Sequence, residues 1–384
     1  MRRQILRNSS GGDKARMLKS CIFDKKKVNL AILPNYLNKI PMYKEQISED
    51  KNVFQKDVNS IIVDISPIQR LIADEMARVN TFIEENLASD VPLINQLGQY
   101  IVNSGGKRLR PALVILSSKV LGYEGDKHIN LAAIIELIHT ATLLHDDVVD
   151  ASLLRRGHQT ANQRWGNEAS VLVGDFVYSR AFQMMVDINS LSIMRVLSEA
   201  TNTIAEGEVQ QLIYRHRPET SEENYLDVIR NKTAKLFEAA ARLGSIISKK
   251  TKDDESAMAN YGRHLGTAFQ LIDDVLDYSS SEIELGKSIG DDLSQGNPTL
   301  PLLYAMWNST KDEEKIIRNS ISNGSLENIE LIKDTINSTG AISYTIEIAK
   351  RESELAINAL DKLPQSEYLD ALYMLAKFSV DRQN

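Results

Sequence analysis

Apolar residues recur at helical spacing through most of the chain. Ile68, Leu71, Ile72, Met76, Val79 and Ile83 follow the repeat of one helix face. Gly105-Gly106 breaks that run. Pro111 suits the first turn of a new helix, where its missing N–H is not needed, and residues 111–121 read as that helix, closed by Gly122. Residues 128–150 are apolar nearly all round, as in a helix buried in the middle of a bundle. Further helical runs cover 167–189, 192–213, 222–248 and 254–278, and shorter amphipathic segments fill 312–384. No stretch alternates in the manner of a strand, and no repeat of fixed period is present. The pattern predicts an all-α protein, with residues 61–384 forming one bundle-like domain.

Composition narrows the function classes. Of 384 residues, 42% are hydrophobic and 25% charged, a globular balance. Lys+Arg 45 against Asp+Glu 52 leaves a net charge of -7, which argues against a nucleic-acid partner. A single cysteine, Cys21, rules out an intrachain disulfide or a cysteine-built zinc site and fits a cytoplasmic, reducing compartment. The most apolar stretch, 131–144, is interrupted by Glu136 and His139, so no transmembrane segment is expected. Residues 1–27 carry nine Lys/Arg against Asp13 and Asp24, with no apolar core of signal-peptide length. Residues 1–60 are therefore expected to be a basic, disordered extension with no catalytic role, organellar targeting being the alternative.

Three groups of residues suggest chemistry. Asp146, Asp147 and Asp150 crowd the end of the apolar helix, with Asp146 and Asp150 one turn apart on one face. A solvated acidic helix end is one reading; a site for a hard divalent cation is the other, because Mg²⁺ takes carboxylates together with substrate phosphates. Asp273, Asp274 and Asp277 repeat the arrangement after a second apolar run, and two such motifs on buried helices are hard to explain as surface decoration. The third group is cationic. Gly105-Gly106-Lys107-Arg108-Leu109-Arg110-Pro111 places positive charge at a helix start, suited to a phosphate. Arg155, Arg156, Lys232 and Lys287 add charge, and His139 lies on nearly the same helix face as Asp146. For His139, a core histidine bonded to backbone and a ligand-binding residue are equally open.

These stretches, with Lys232-Thr233, Phe269-Gln270 and Gly290-Asp291-Asp292, resemble the trans-polyprenyl diphosphate synthase family from about residue 61 to the C-terminus. His139 to Asp147 and Leu172-Val173-Gly174-Asp175 are most similar to its bacterial long-chain, octaprenyl-making branch, which supplies the quinone side chain. The resemblance implies antiparallel helices around a deep central cavity, a homodimer, and peripheral membrane contact for product release. It implies sequential addition of isopentenyl diphosphate to an allylic diphosphate, farnesyl diphosphate being the expected primer and a C40 chain the expected product. It also implies two or three Mg²⁺ ions held by Asp146, Asp150 and Asp273. The catalytic set becomes Asp146, Asp147, Asp150, Asp273, Asp274, Asp277 and Lys232. Arg155, Lys232, Thr233, Gln270 and Lys287 would grip the allylic diphosphate, and Lys107, Arg110, His139 and Arg156 isopentenyl diphosphate.

Ala141 and Thr142, small and one turn before Asp146, are expected to open a tunnel for the growing chain, with Phe182, Met184 and Met185 as candidates for its floor; plain core packing is the competing account of those three. One departure stands out. Relatives commonly read Glu-Gly-Lys-Pro-Thr-Leu-Pro where this chain has Gln295-Gly296-Asn297-Pro298-Thr299-Leu300-Pro301, so a cation near the leaving group is replaced by an amide. A regulatory subunit of a heteromeric synthase and a terpene cyclase-like enzyme are the alternative readings. The six retained aspartates count against the first, and Lys107 and Arg110 against the second.

Overall fold

The computed structural model describes residues 64–103, 105–155, 157–279 and 290–382. The extension 1–60, Arg156 and Lys287 lie outside the described residues. The described chain is a helical bundle: α1 Ser66–Leu71, α2 Ala73–Leu87, α3 Pro92–Asn103, α4 Leu109–Val120 and α5 Lys127–Val149. A two-residue hairpin follows, β1 Leu154–Arg155 against β2 His158–Gln159, pairing Leu154 with Gln159 and Arg155 with His158. Then come α6 Ala161–Trp165, α7 Asn167–Asp187, α8 Leu191–Tyr214, α9 Glu222–Ile229, a π-helical turn Arg230–Ala234, α10 Lys235–Ile247 and α11 Lys252–Ser279. The last part comprises α12 Asp291–Ser294, α13 Leu300–Asn308, α14 Lys311–Asn323, α15 Ile329–Ser338, α16 Ala341–Ala359 and α17 Glu367–Asp381.

The long helix α5 is central because it has no polar face. Ile134, Ile135, Leu137, Ile138 and Ala141 are all sealed from solvent. It packs mainly on α7 and α4, and also on α2 and α10. Short connections between packed neighbours, such as 121–126 between α4 and α5 and 248–251 between α10 and α11, force those pairs to run antiparallel. Two apolar clusters result. The larger joins α2, α4, α5, α7, α8 and α10; the smaller joins α13, α14, α15 and the start of α16. Helix α11 spans both, with Tyr261 and Leu265 in the first and Leu271, Ile272 and Leu276 in the second. Its acidic motif therefore falls in the part of α11 that packs into the smaller cluster.

Several elements differ from the sequence pattern. The run 222–248 is continuous but contains the π turn, and α3 and α13 form where no separate helix was expected. The hairpin is too short to show alternation; it turns through Gly157, whose φ of 77° a glycine adopts without strain.

Candidate active site

At the C-terminal end of α5 each carboxylate of the first motif meets a different cation. Asp147 is buried and accepts from Arg155 Nε at 2.8 Å and Nη2 at 2.7 Å. Strand β1 presents that arginine, and Asn162 holds the turn by donating to the Asp147 carbonyl at 3.1 Å. Asp150 pairs with Arg215, which follows α8 directly. Asp146 lies 3.7 Å from Lys232 Nζ. Burial pushes the Asp146 and Asp147 carboxyls above the usual carboxylate value; Lys232 and Arg155, respectively, only partly offset it.

Lys232 sits inside the π turn, a widened helical turn that often marks a functional position. Its ammonium also reaches Glu208 at 2.6 Å and Gln211 at 2.8 Å, both on α8. The turn can approach α8 because residue 207 is glycine: a Cβ there would stand 2.7 Å from the Lys232 backbone nitrogen. Burial pulls the Lys232 ammonium down, but Asp146 and Glu208 together hold it above the ordinary lysine value. Glu208 is pushed up to about 7, chiefly by burial. From the same turn Thr233 donates to Gln270 on α11 at 3.0 Å.

The second motif is arranged differently. Asp274 is buried and accepts from Tyr225 OH at 2.5 Å and Gln270 Nε2 at 2.8 Å; burial drives its carboxyl well above the usual value. Asp273 is half-exposed and pairs with Arg382 Nη2 at 2.7 Å. Asp277 is fully buried, accepts the Asp292 backbone N–H at 3.3 Å and is not among the residues that line the cleft beside the motif. That cleft is lined by Lys232, Thr233, Gln270, Asp274, Asp292 and Asn297, among others. Both motifs are tied to it, the second directly and the first through Lys232.

The cationic group assembles around the start of α4. Arg108, at φ 50°, starts α4 after Gly105 and Gly106, both at positive φ, and forms an ion pair with Glu136 on α5. Arg110 Nη1 lies 3.0 Å from His139 Nε2 and stacks over Phe237 at 4.4 Å. Lys107 lies 5.3 Å from the Phe378 ring. Phe237 and Phe269 are neighbours at 5.7 Å, and Arg382 covers Phe269 at 3.7 Å. One aromatic pair thus separates Arg110 and His139 from Arg382 and Asp273.

Of the five tunnel candidates, Ala141, Met184 and Met185 are buried, Phe182 is partly buried, and Thr142 donates to the His139 carbonyl at 2.9 Å. A second, narrow gap takes Leu137 and Thr140 from α5 and Val177 from α7, with Arg108 and Glu136 at its edge. None of the five expected residues lines it.

A polyprenyl synthetase family model matches residues 91–338. The chain belongs to the polyprenyl synthetase family. It is 51% identical over 321 residues to the octaprenyl diphosphate synthase of Escherichia coli strain K12, covering 83% of this chain and 99% of that one. To the geranyl-diphosphate-specific all-trans-nonaprenyl-diphosphate synthase of Rhodobacter capsulatus it is 44% identical, covering 81% of this chain and 96% of the relative. Among solved structures, the polyprenyl synthase of Caulobacter crescentus CB15, complexed with calcium and isoprenyl diphosphate, superposes with a TM-score of 0.81 at 40% identity, covering 84% of this chain and 98% of that one. A decaprenyl diphosphate synthase from Rhodobacter capsulatus gives 0.79, also at 40% identity, covering 84% and 100% of the two chains. The all-α polyprenyl synthase fold expected from the motifs is the fold observed. Glu208, Gln211, Arg215, Tyr225 and Arg382 were not singled out by sequence reasoning, since each contacts a motif residue from a distant point in the chain and carries no local signature.

Proposed function

We propose that the protein is an octaprenyl diphosphate synthase. It adds isopentenyl diphosphate units to farnesyl diphosphate and makes an all-trans C40 chain for a quinone. The observation that carries this reading is the position of Lys232. One ammonium contacts the first motif at Asp146 and lines the cleft holding Asp274 of the second. A diphosphate in that cleft is gripped by Lys232, with Thr233 and Gln270 beside it.

The carbon–oxygen bond of the allylic diphosphate breaks, and its electron pair leaves on the diphosphate. Lys232 stabilises the charge that develops there, in a setting with little water. Arg110, His139 and Lys107 hold isopentenyl diphosphate so that its double bond attacks the allylic cation. A proton then leaves the new chain, and the released diphosphate takes it. Among the described residues no three carboxylates or imidazoles converge closely enough to cage an ion alone. That donor set fits Mg²⁺, which binds through one or two carboxylates, water and phosphate oxygens. Asp146, Asp150 and Asp273 would hold two or three ions, with Asp147 and Asp274 supporting the two motifs. When bound, Mg²⁺ neutralises diphosphate charge as a Lewis acid.

Residues 61–384 are read as one synthase domain and 1–60 as an appendage outside catalysis; relatives of nearly full length cover only 83% of the chain. Val171, Leu172, Val209, Leu212 and Ile213 expose apolar surface on α7 and α8, which suits a second copy of the chain in a homodimer. No helix among the described residues is long and apolar enough to cross a membrane. This supports a cytoplasmic enzyme with at most peripheral membrane contact.

The purified chain, incubated with farnesyl diphosphate, labelled isopentenyl diphosphate and Mg²⁺, should yield a C40 alcohol after dephosphorylation, read by chromatography. Label in no extended product would favour the regulatory-subunit reading. An unextended cyclic product would favour a cyclase.

A further inference from the structure

We propose that Arg215 supplies the positive charge at the diphosphate end of the cleft that Asn297 does not. The inference rests on the synthase reading and deepens it. The turn after α8 is docked against the loop preceding α13: the His216 N–H donates to the Gly296 carbonyl at 2.8 Å. Gly296 has a φ of +73°, and a Cβ there would lie 2.3 Å from His216 Nδ1, so the imidazole occupies the space any side chain at 296 would need. That contact sets the side chain of residue 215 beside that of residue 297.

Arg215 Nε donates to Asn297 Oδ1 at 3.1 Å, and Nη2 pairs with Asp150. The arginine side chain is 13% exposed and that of Asp150 16%. Asn297 is buried and turns its amide nitrogen away, to Gln295 Oε1 at 3.0 Å and Asp292 Oδ1 at 3.4 Å. The amide is therefore oriented as an acceptor for the guanidinium. A lysine at 297 would set a second cation against Arg215 where little solvent screens them. Positions 215 and 297 form one charge arrangement: a neutral acceptor on the cleft wall and a cation behind it. A guanidinium has five N–H donors in a planar fork, and these two contacts use two of them. Asn297 lines the cleft with Lys232 and Asp292, so the guanidinium behind it adds positive potential to a diphosphate there without lining the cleft itself.

The test is an exchange of charge between the two positions. Wild type, Arg215→Met, Asn297→Lys and the double variant are compared by calorimetric binding of inorganic pyrophosphate with Mg²⁺. kcat/KM for farnesyl diphosphate and thermal unfolding in chelator are measured alongside. Arg215→Met should weaken pyrophosphate binding and kcat/KM together, by about 10- to 100-fold. Asn297→Lys alone should lower the melting temperature, because two cations meet. The double variant should recover pyrophosphate binding to within about threefold of wild type. Pyrophosphate binding unchanged or tightened in Arg215→Met, or a double variant no better than Arg215→Met, would overturn the proposal. If Arg215→Met does not fold, Arg215→Gln and Arg215→Lys replace it; charge supply requires Lys to outperform Gln. A wild-type chain that elongates nothing would defeat the synthase reading, and the pyrophosphate series would still decide the role of Arg215.

Discussion

The ammonium of Lys232 lies 2.6 Å from Glu208 and 3.7 Å from Asp146, so removing it leaves two nearly buried carboxylates without their cation. Lys232→Ala should lower kcat/KM for the allylic diphosphate by about 10²- to 10³-fold, the usual scale for losing one group that stabilises developing negative charge; steady-state kinetics would read it. Glu208 provides a test of the electrostatics. Its carboxyl is raised from 4.5 to about 7, so between those values the folded chain binds a proton that the unfolded chain has released. The stability from keeping it protonated is full below about 4.5 and is lost as pH rises through about 7. In chelator, urea unfolding should therefore show stability falling across that window, and Glu208→Gln should flatten the fall by up to about 3 kcal/mol. An unchanged slope in the variant would mean that Glu208 is not the group titrating. The aspartates were legible in the sequence because their spacing is local. Glu208 was not, since only the fold sets it against Lys232.

Among elements, the helices with a strong pattern were legible and the irregular segments were not. The apolar run 128–150 became α5 with bounds Lys127–Val149, because a helix without a polar face has nowhere to go but the interior. The π turn adds a residue to a helix whose hydrophobic pattern does not change, so periodicity could not reveal it. Yet it is the π turn, pressed against Gly207, that presents Lys232 to α8 and Thr233 to α11. The path of the product also belongs to this scale. Ala141 is fully buried on α5, whereas Thr140 faces the narrow gap between α5 and α7. Ala141→Phe should shorten the product while pyrophosphate release from the primer continues, as chromatography of the dephosphorylated chains would show. Should Thr140→Phe shorten the chains and Ala141→Phe leave them at full length, the growing product passes along the Thr140 side of α5.

For the whole molecule, the exposed apolar side chains of α7 and α8 are the feature that a lone chain explains least. Leu172 is 68% exposed and Val209 57%. If a second copy covers this face, Leu172→Asp combined with Leu212→Glu should shift the chain from dimer to monomer in sedimentation, because burying unpaired carboxylates at an interface is unfavourable. A monomeric wild type would remove the homodimer from the account. The sequence by itself determined the helical class, the two acidic motifs, the cationic turn and the family, since each depends on residues close together in the chain. Tertiary structure alone decided which charges meet: Asp147 with Arg155, Asp150 with Arg215, Asp273 with Arg382. It also set the buried Asp277 against the Asp292 backbone N–H. The physical reason is that a buried charge takes whatever counter-charge the packing brings within about 4 Å, and sequence separation places no limit on where that partner comes from.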